Sequence, residues 1–139
     1  FNLPDYDVFR INAGAATPSH SASYSGVGTT IFNMVVNPAN GKLYVSNTEA
    51  RNEVRFEGPG TTSTTVQGRL AESRVTVISG STVTPRHLNK HINYAVRPAP
   101  AGTKDKSLAQ PNAMAISSNG QTLYVAAFGS SKVGVFSTA

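Results

Sequence analysis

Residues 32–47 read FNMVVNPANGKLYVSN, and the fold turns on them. Asn40-Gly41 is the strongest short signal for a hairpin turn, because both residue types accept a positive φ at low cost. The runs on either side, Met34-Val35-Val36 and Leu43-Tyr44-Val45, have the composition and length of strands. Pro38 falls at the end of the first run, where its missing N–H does least harm to a ladder. A β-hairpin is predicted here.

Residues 111–127, PNAMAISSNGQTLYVAA, repeat the pattern. Asn33 matches Asn112, Asn40-Gly41 matches Asn119-Gly120, and Leu43-Tyr44-Val45 matches Leu123-Tyr124-Val125. The spacing is 79 residues before the turn (112 − 33) and 80 after it (123 − 43). That predicts one extra residue, Thr122 or a neighbour, behind the second turn. A second motif accompanies the first: Asp7 to Ile11, Arg74 to Ile78 and Lys132 to Phe136 each start polar and continue as a short strand. Between Ile11 and Ile31 lie a turn (Ala13-Gly14 to Pro18), a weak strand around Ser21 to Tyr24, and Gly26-Val27-Gly28. Short strands with turn signals at this pace predict an all-β sandwich, barrel or propeller. Only Arg86 to Tyr94 has the look of a helical turn.

The stretch from Pro111 to Ala139, PNAMAISSNGQTLYVAAFGSSKVGVFSTA, resembles the YVTN-type β-propeller repeat. That repeat runs from a proline and an apolar strand through an Asn/Asp-Gly turn, a Tyr-Val strand and a short loop to a Val-x-Val strand. Leu123-Tyr124-Val125-Ala126 stands where the family has Tyr-Val-Thr-Asn, and Leu43-Tyr44-Val45-Ser46-Asn47 is closer still. The resemblance implies a partial β-propeller of about two to three antiparallel four-stranded blades, with residues 1–139 a segment of the propeller domain. Blades of this kind take roughly 40–45 residues. The wider spacing here implies that residues 58–110 hold a long insertion or a degenerate blade. The insertion is preferred, because no Asn-Gly hairpin or Tyr-Val strand occurs between Gly58 and Gln110.

A propeller ring needs at least about four blades. The expectation is therefore a piece of a longer propeller chain, or a subunit that completes its ring with other copies of itself. Family members are secreted bacterial proteins, some fused to c-type cytochrome domains, which implies a secreted or periplasmic protein. The role expected is a non-catalytic binding or scaffold segment with a protein partner. The alternative is part of a lactonase-like propeller hydrolase, or of a propeller partnered with a cytochrome c electron-transfer domain, with catalytic groups outside this segment.

Composition narrows the remaining classes. Charged residues make up 14% of the chain, well under the usual quarter, while a hydrophobic share of 39% is too high for a disordered polymer. The net charge of +5 keeps anionic partners in view, but the twelve Lys and Arg are scattered and cluster no more densely than Lys104 with Lys106. No basic stripe with interleaved aromatics exists, so nucleic acid is not an expected partner. The absence of cysteine excludes disulfides, thiolate metal sites, a Cys nucleophile and covalent haem attachment within this chain. No apolar run approaches the roughly 18 residues of a membrane span. The chain opens on Phe1 with no signal peptide, which reads as a processed chain or a piece of a longer one.

Few residues point to chemistry. In PRHLNKHINY, residues 85–94, a helix would place His87 and His91 on one face as weak candidate metal or haem ligands. A strand would hold them roughly 13 Å apart, and no third ligand lies nearby in sequence, so neither a metal nor another cofactor is expected. Gly26-Val27-Gly28 lacks the third glycine and the following helix of a dinucleotide fingerprint, and reads as a link between blades. Gly58-Pro59-Gly60 reads as a turn, and Arg97 to Lys106 as a connector. No serine sits in a G-x-S-x-G elbow, and neither Ser19-His20 nor Asp5 with Asp7 makes a catalytic pair.

What remains is a row of alternating charge, EARNEVRFE, at residues 49–57. A helix there would stack Glu49, Glu53 and Glu57 as like charges. A strand from about Asn52, with Val54 and Phe56 turned inward, is the better reading. Glu49, Arg51, Glu53 and Arg55, with Arg86 and Lys90, form the candidate interaction surface.

Overall fold

In a computed structural model that describes residues 5–51 and 68–139, each alternating apolar run becomes a strand paired with its neighbour in sequence. The first sheet is β1 (Val8–Asn12) with β2 (Ser19–Tyr24). The second is β3 (Thr30–Val36), β4 (Leu43–Ala50), β5 (Ala71–Ser79) and β6 (Thr82–His87). The third is β7 (Pro111–Ile116), β8 (Thr122–Ala127) and β9 (Lys132–Ser137). All pairings are antiparallel and sequential, so the described fold is all-β, three meanders in chain order.

The two Asn-Gly hairpins form, with a different turn from the one predicted. Val36 pairs with Leu43, and the Asn37 N–H donates to the Lys42 carbonyl at 2.8 Å, leaving residues 38–41 as the loop. Ile116 pairs with Leu123, and the Ser117 N–H donates to the Thr122 carbonyl at 2.9 Å, leaving residues 118–121. Only the glycines take a positive φ, 71° at Gly41 and 72° at Gly120. Asn40 and Asn119 instead accept a backbone N–H two residues on, each at 3.0 Å. The asparagine thus acts through its side-chain oxygen, as Asx turns do.

This geometry corrects the spacing. Partner pairs lie a constant 80 residues apart on both sides of the turn (116 − 36 and 123 − 43). The loops are equally long, so no residue has been added. Asn-Gly has moved one place earlier in the second loop. A bulge interrupts β3 between Ile31 and Asn33 and β7 between Pro111 and Met114, again at matching places. The third strand repeats as well: Tyr44 pairs with Val77 and Tyr124 with Val135, so RVTVIS (74–79) and KVGVFS (132–137) occupy equivalent positions.

Within 58–110, β5 and β6 extend the second sheet to four strands. Among the described residues, 51 and 68–70 before β5 and 88–110 after β6 lie outside regular strands. Gly80, at φ 60°, takes the first position of the two-residue β5–β6 turn, where a type II′ hairpin needs it. No helix forms at Arg86 to Tyr94, where a single turn at 88–91 is closed by the Ile92 N–H donating to the Asn89 carbonyl at 3.1 Å. Pairing with β5 keeps the chain extended through His87, and the Leu88 N–H still donates to the Ser73 carbonyl at 2.9 Å. A short α-helix, α1 (Thr103–Lys106), lies further along the connector, after Gly102 turns the chain at φ 80°.

Alternation places Tyr44 and Val45, neighbours in sequence, on opposite faces of the second sheet. Val45 and Ile78 bury against Val8, Tyr24 and Val27 from the first sheet and its outgoing link. Tyr44 and Val75 bury against Leu123 and Val125 of the third. Each such side chain contributes about 1.5–3 kcal/mol of hydrophobic stabilisation. The second sheet is therefore sandwiched, and β3 lies against β7.

Polar contacts lock both seams. At the first, Thr76 Oγ1 donates to the Val27 carbonyl at 2.7 Å, and Asn47 Nδ2 donates to Thr76 Oγ1 at 2.9 Å. A Cβ on Gly28 would lie 2.4 Å from Asn47 Oδ1, so this linker glycine is required by close approach. At the second seam, Ser46 Oγ donates to the Asn112 carbonyl at 2.7 Å, and Asn37 Nδ2 to the Gly120 carbonyl at 2.8 Å.

Candidate binding cleft

Among the described residues the third sheet has one strand fewer than the second, and its three strands cover only part of the face they pack on. Beside them opens a cleft of about 840 Å³. Its floor is Tyr44, Val75 and Val77, and Leu123 and Phe136 form the opposite wall. Along β6, Thr82, Thr84 and Arg86 reach it at every second position, as strand periodicity requires. Lys42 lines one part of it, and His87, Lys90 and His91 another. Among the described residues its charged lining side chains are Lys42, Arg86 and Lys90, which give it a basic character.

The connector is fixed where it leaves the cleft. Asn89 is buried and grips Leu108 twice: its Nδ2 donates to the Leu108 carbonyl at 2.7 Å, and its Oδ1 accepts the Leu108 N–H at 2.8 Å. Leu108 packs against Gly134, where an added Cβ would come within 2.7 Å of its Cδ1 and the side chain would have to shift.

Of the six charged surface candidates, the structure brings Arg86 and Lys90 together in the cleft. Glu49 and Arg51 go elsewhere. β4 runs on through Ala50, so Glu49 belongs to the hairpin strand itself. Its carboxylate meets Arg74 at 2.9 Å and accepts the Thr29 N–H at 3.1 Å. Arg51 pairs with Glu72 at 3.5 Å, and Glu72 also binds Arg69. The start of the charged row is thus part of a half-buried ion-pair network at one end of the second sheet. Glu53, Arg55 and the strand expected from Asn52 lie outside the described residues, as does Gly58-Pro59-Gly60.

His87 and His91 line the same cleft without sharing a helix face. His87 Nδ1 accepts the Asn89 N–H at 2.8 Å, while its buried Nε2 stands 4.0 Å from Glu72. Burial holds the His87 imidazole below its ordinary pKa of 6.5; the Glu72 carboxylate opposes this, and Arg69, Arg74 and Lys90 reinforce it. His91 Nε2 lies 3.1 Å from the Thr103 carbonyl and 3.3 Å from Ser107 Oγ, tying the turn to α1. Burial also raises the Tyr94 phenol, whose ring lies under the Arg69 guanidinium at 4.6 Å. Among the described residues no three His, Cys, Asp or Glu side chains gather as a metal site would need. No helix among them is long and apolar enough to cross a membrane.

Comparison with protein-family models, with curated proteins and with solved structures returns no match. The reading of the cleft therefore rests on its own geometry. Sequence inspection missed Lys42 and Thr84 as parts of it. The signal available was the alternation Thr82-Thr84-Arg86, legible once TVTPRH is taken as a strand and not as the lead-in to a helix.

Proposed function

We propose that this chain is a segment of a YVTN-type β-propeller and serves as a non-catalytic binding or scaffold unit of a secreted or periplasmic bacterial protein. The observation that carries this reading is the stacking of two meanders, in chain order and face to face, whose hairpins correspond at a constant 80-residue interval. In it the four-stranded sheet is a complete blade. The third sheet supplies the first three strands of the next, and β1–β2 the last two of the one before. Propeller blades stack in this way about a central axis, which here would run beside β3 and β7. The cleft has cations, hydroxyls and an apolar floor, and the one hydroxyl seen beside His91, that of Ser107, donates to the Thr103 carbonyl, which favours recognition over catalysis.

Electron microscopy of the full-length protein containing this sequence tests the architecture. A closed ring with residues 30–87 and 111–137 in adjacent blades is expected; a two-layer sandwich would overturn it. Lactone or ester hydrolysis by the purified chain that disappears in Arg86→Ala or His91→Ala would overturn the non-catalytic role.

A further inference from the structure

The two Asn-Gly loops carry the same dipeptide and differ in how firmly the rest of the molecule holds it. In the first, the Asn40 side-chain oxygen accepts the Lys42 N–H at 3.0 Å, and the Gly41 N–H donates to the Asn37 carbonyl at 2.9 Å. Both residues are exposed, and a Cβ on Gly41 would meet nothing within 4 Å. In the second, the Asn119 side-chain oxygen accepts the Gln121 N–H at 3.0 Å and also the Ser117 hydroxyl at 2.6 Å. Its amide nitrogen donates to the Gln121 side-chain oxygen at 3.3 Å. Gly120 is buried. Its N–H donates to the Ser117 carbonyl at 2.8 Å, and its own carbonyl accepts Asn37 Nδ2 at 2.8 Å and the Thr138 hydroxyl.

That difference bears on a reaction to which Asn-Gly is open, because glycine has no Cβ to shield its nitrogen. The glycine nitrogen loses its proton to hydroxide and attacks the asparagine Cγ. A C–N bond forms, the Cγ–Nδ2 bond breaks, and the amide nitrogen leaves as ammonia with a proton from water. Water then adds to either carbonyl of the cyclic imide and opens it. One opening gives aspartate, the other isoaspartate, whose main chain runs through the side-chain carboxyl. In a folded loop the glycine N–H must first leave its carbonyl and the asparagine oxygen its N–H, so the rate follows local opening. We propose that Asn40 is a site of spontaneous deamidation in the folded protein, and that Asn119 is protected by the seam on which its loop sits. The product carries a carboxylate two residues from Lys42, which lines the cleft, and so lowers the positive charge beside it.

Incubation of the folded 139-residue chain in mildly alkaline buffer, followed by peptide sequencing by mass spectrometry, tests it. Asn40 is expected to convert at least about tenfold faster than Asn119, because more hydrogen bonds must open at the second loop. In urea the same chain should convert the two sites at similar rates. Ser117→Ala removes a donor from the Asn119 oxygen and should speed conversion there while leaving Asn40 unchanged. Equal rates in the folded chain, faster conversion at Asn119, or a preference for Asn40 that persists undiminished in urea would each overturn the proposal. So would a folded chain that leaves Asn40 intact while the unfolded chain converts it, or an Asn119 rate unmoved in folded Ser117→Ala. Should Ser117→Ala unfold the chain, the folded and urea rates of the unsubstituted protein decide the matter alone.

Discussion

Tyr44 and Tyr124 stand in the same Leu-Tyr-Val strand, behind the same Asn-Gly loop, at equivalent places in two sheets. Tyr44 is 5% exposed and Tyr124 is 42% exposed. Val75 and Val133, also equivalent, differ as sharply, at 3% and 63%. Local sequence makes the strand, and the neighbouring sheet decides whether its face is core. The second sheet has a layer on each side. The third has one, and it keeps an apolar face of Tyr124, Val133 and Val135 open among the described residues.

The sharpest way to break that contrast is to truncate both tyrosines. Tyr44→Ala is expected to destabilise by about 3–5 kcal/mol, since it leaves a cavity between two sheets. Tyr124→Ala should cost about 1 kcal/mol or less. Urea denaturation of the two variants checks this, and equal losses would mean that the third sheet does not cover the second.

The turn glycines give the next largest difference. A Cβ on Gly120 would lie 2.3 Å from Asn37 Oδ1, an atom held by the Ala39 N–H, whereas a Cβ on Gly41 meets nothing within 4 Å. Gly41→Ala therefore carries only the strain of its positive φ, about 1–2 kcal/mol. Gly120→Ala adds a clash and should cost about 2–4 kcal/mol. Thermal melts of the pair separate turn strain from packing across the seam.

Asn47 and Ala127 test the buried polar layer. Asn47 bonds Thr76 and the Val45 carbonyl, while the position equivalent to Thr76 in the third sheet is Gly134. Asn47→Ala is expected to cost about 1–3 kcal/mol. Ala127→Asn should also destabilise, since the buried site offers no hydroxyl at Gly134 to receive the amide.

The smallest effect is on pH. Because burial holds the His87 pKa below 6.5 in the folded state, the unfolded chain takes up the proton first as pH falls. Above 6.5 the group is neutral in both states and contributes no pH dependence. Below 6.5 stability declines until the folded imidazole also protonates. His87→Gln should flatten that part of the melting-temperature profile, and an unchanged slope between pH 5 and about 6.5 would contradict the assignment.

Strand identity was legible wherever apolar alternation met a turn signal, as at 32–47 and 111–127. The finer register was not. Asn33 and Asn112 look like counterparts in sequence, but the bulges and loops place Asn33 opposite Ser46 and give Asn112 the neighbouring position. Identical Asn-Gly letters hid the one-place shift, because the loop is set by the glycine φ and the asparagine oxygen, and either can move within four residues. The cleft was least legible. It exists where, among the described residues, one sheet has a strand fewer than the next, and no local pattern in residues 85–94 carries that information. Two candidates, Arg86 and Lys90, nevertheless fall in it, while Glu49 and Arg51 serve the sheet's own ion pairs.

The central claim is that the third sheet covers one face of the second as a successive repeat. Nuclear Overhauser spectra of methyl-labelled protein test it most directly. The Tyr44 ring should show strong contacts to the Leu123 and Val125 methyls, and the Tyr124 ring none to methyls of β3–β6. Contacts of both rings to the same methyls, or absence of the Tyr44 contacts, would contradict it.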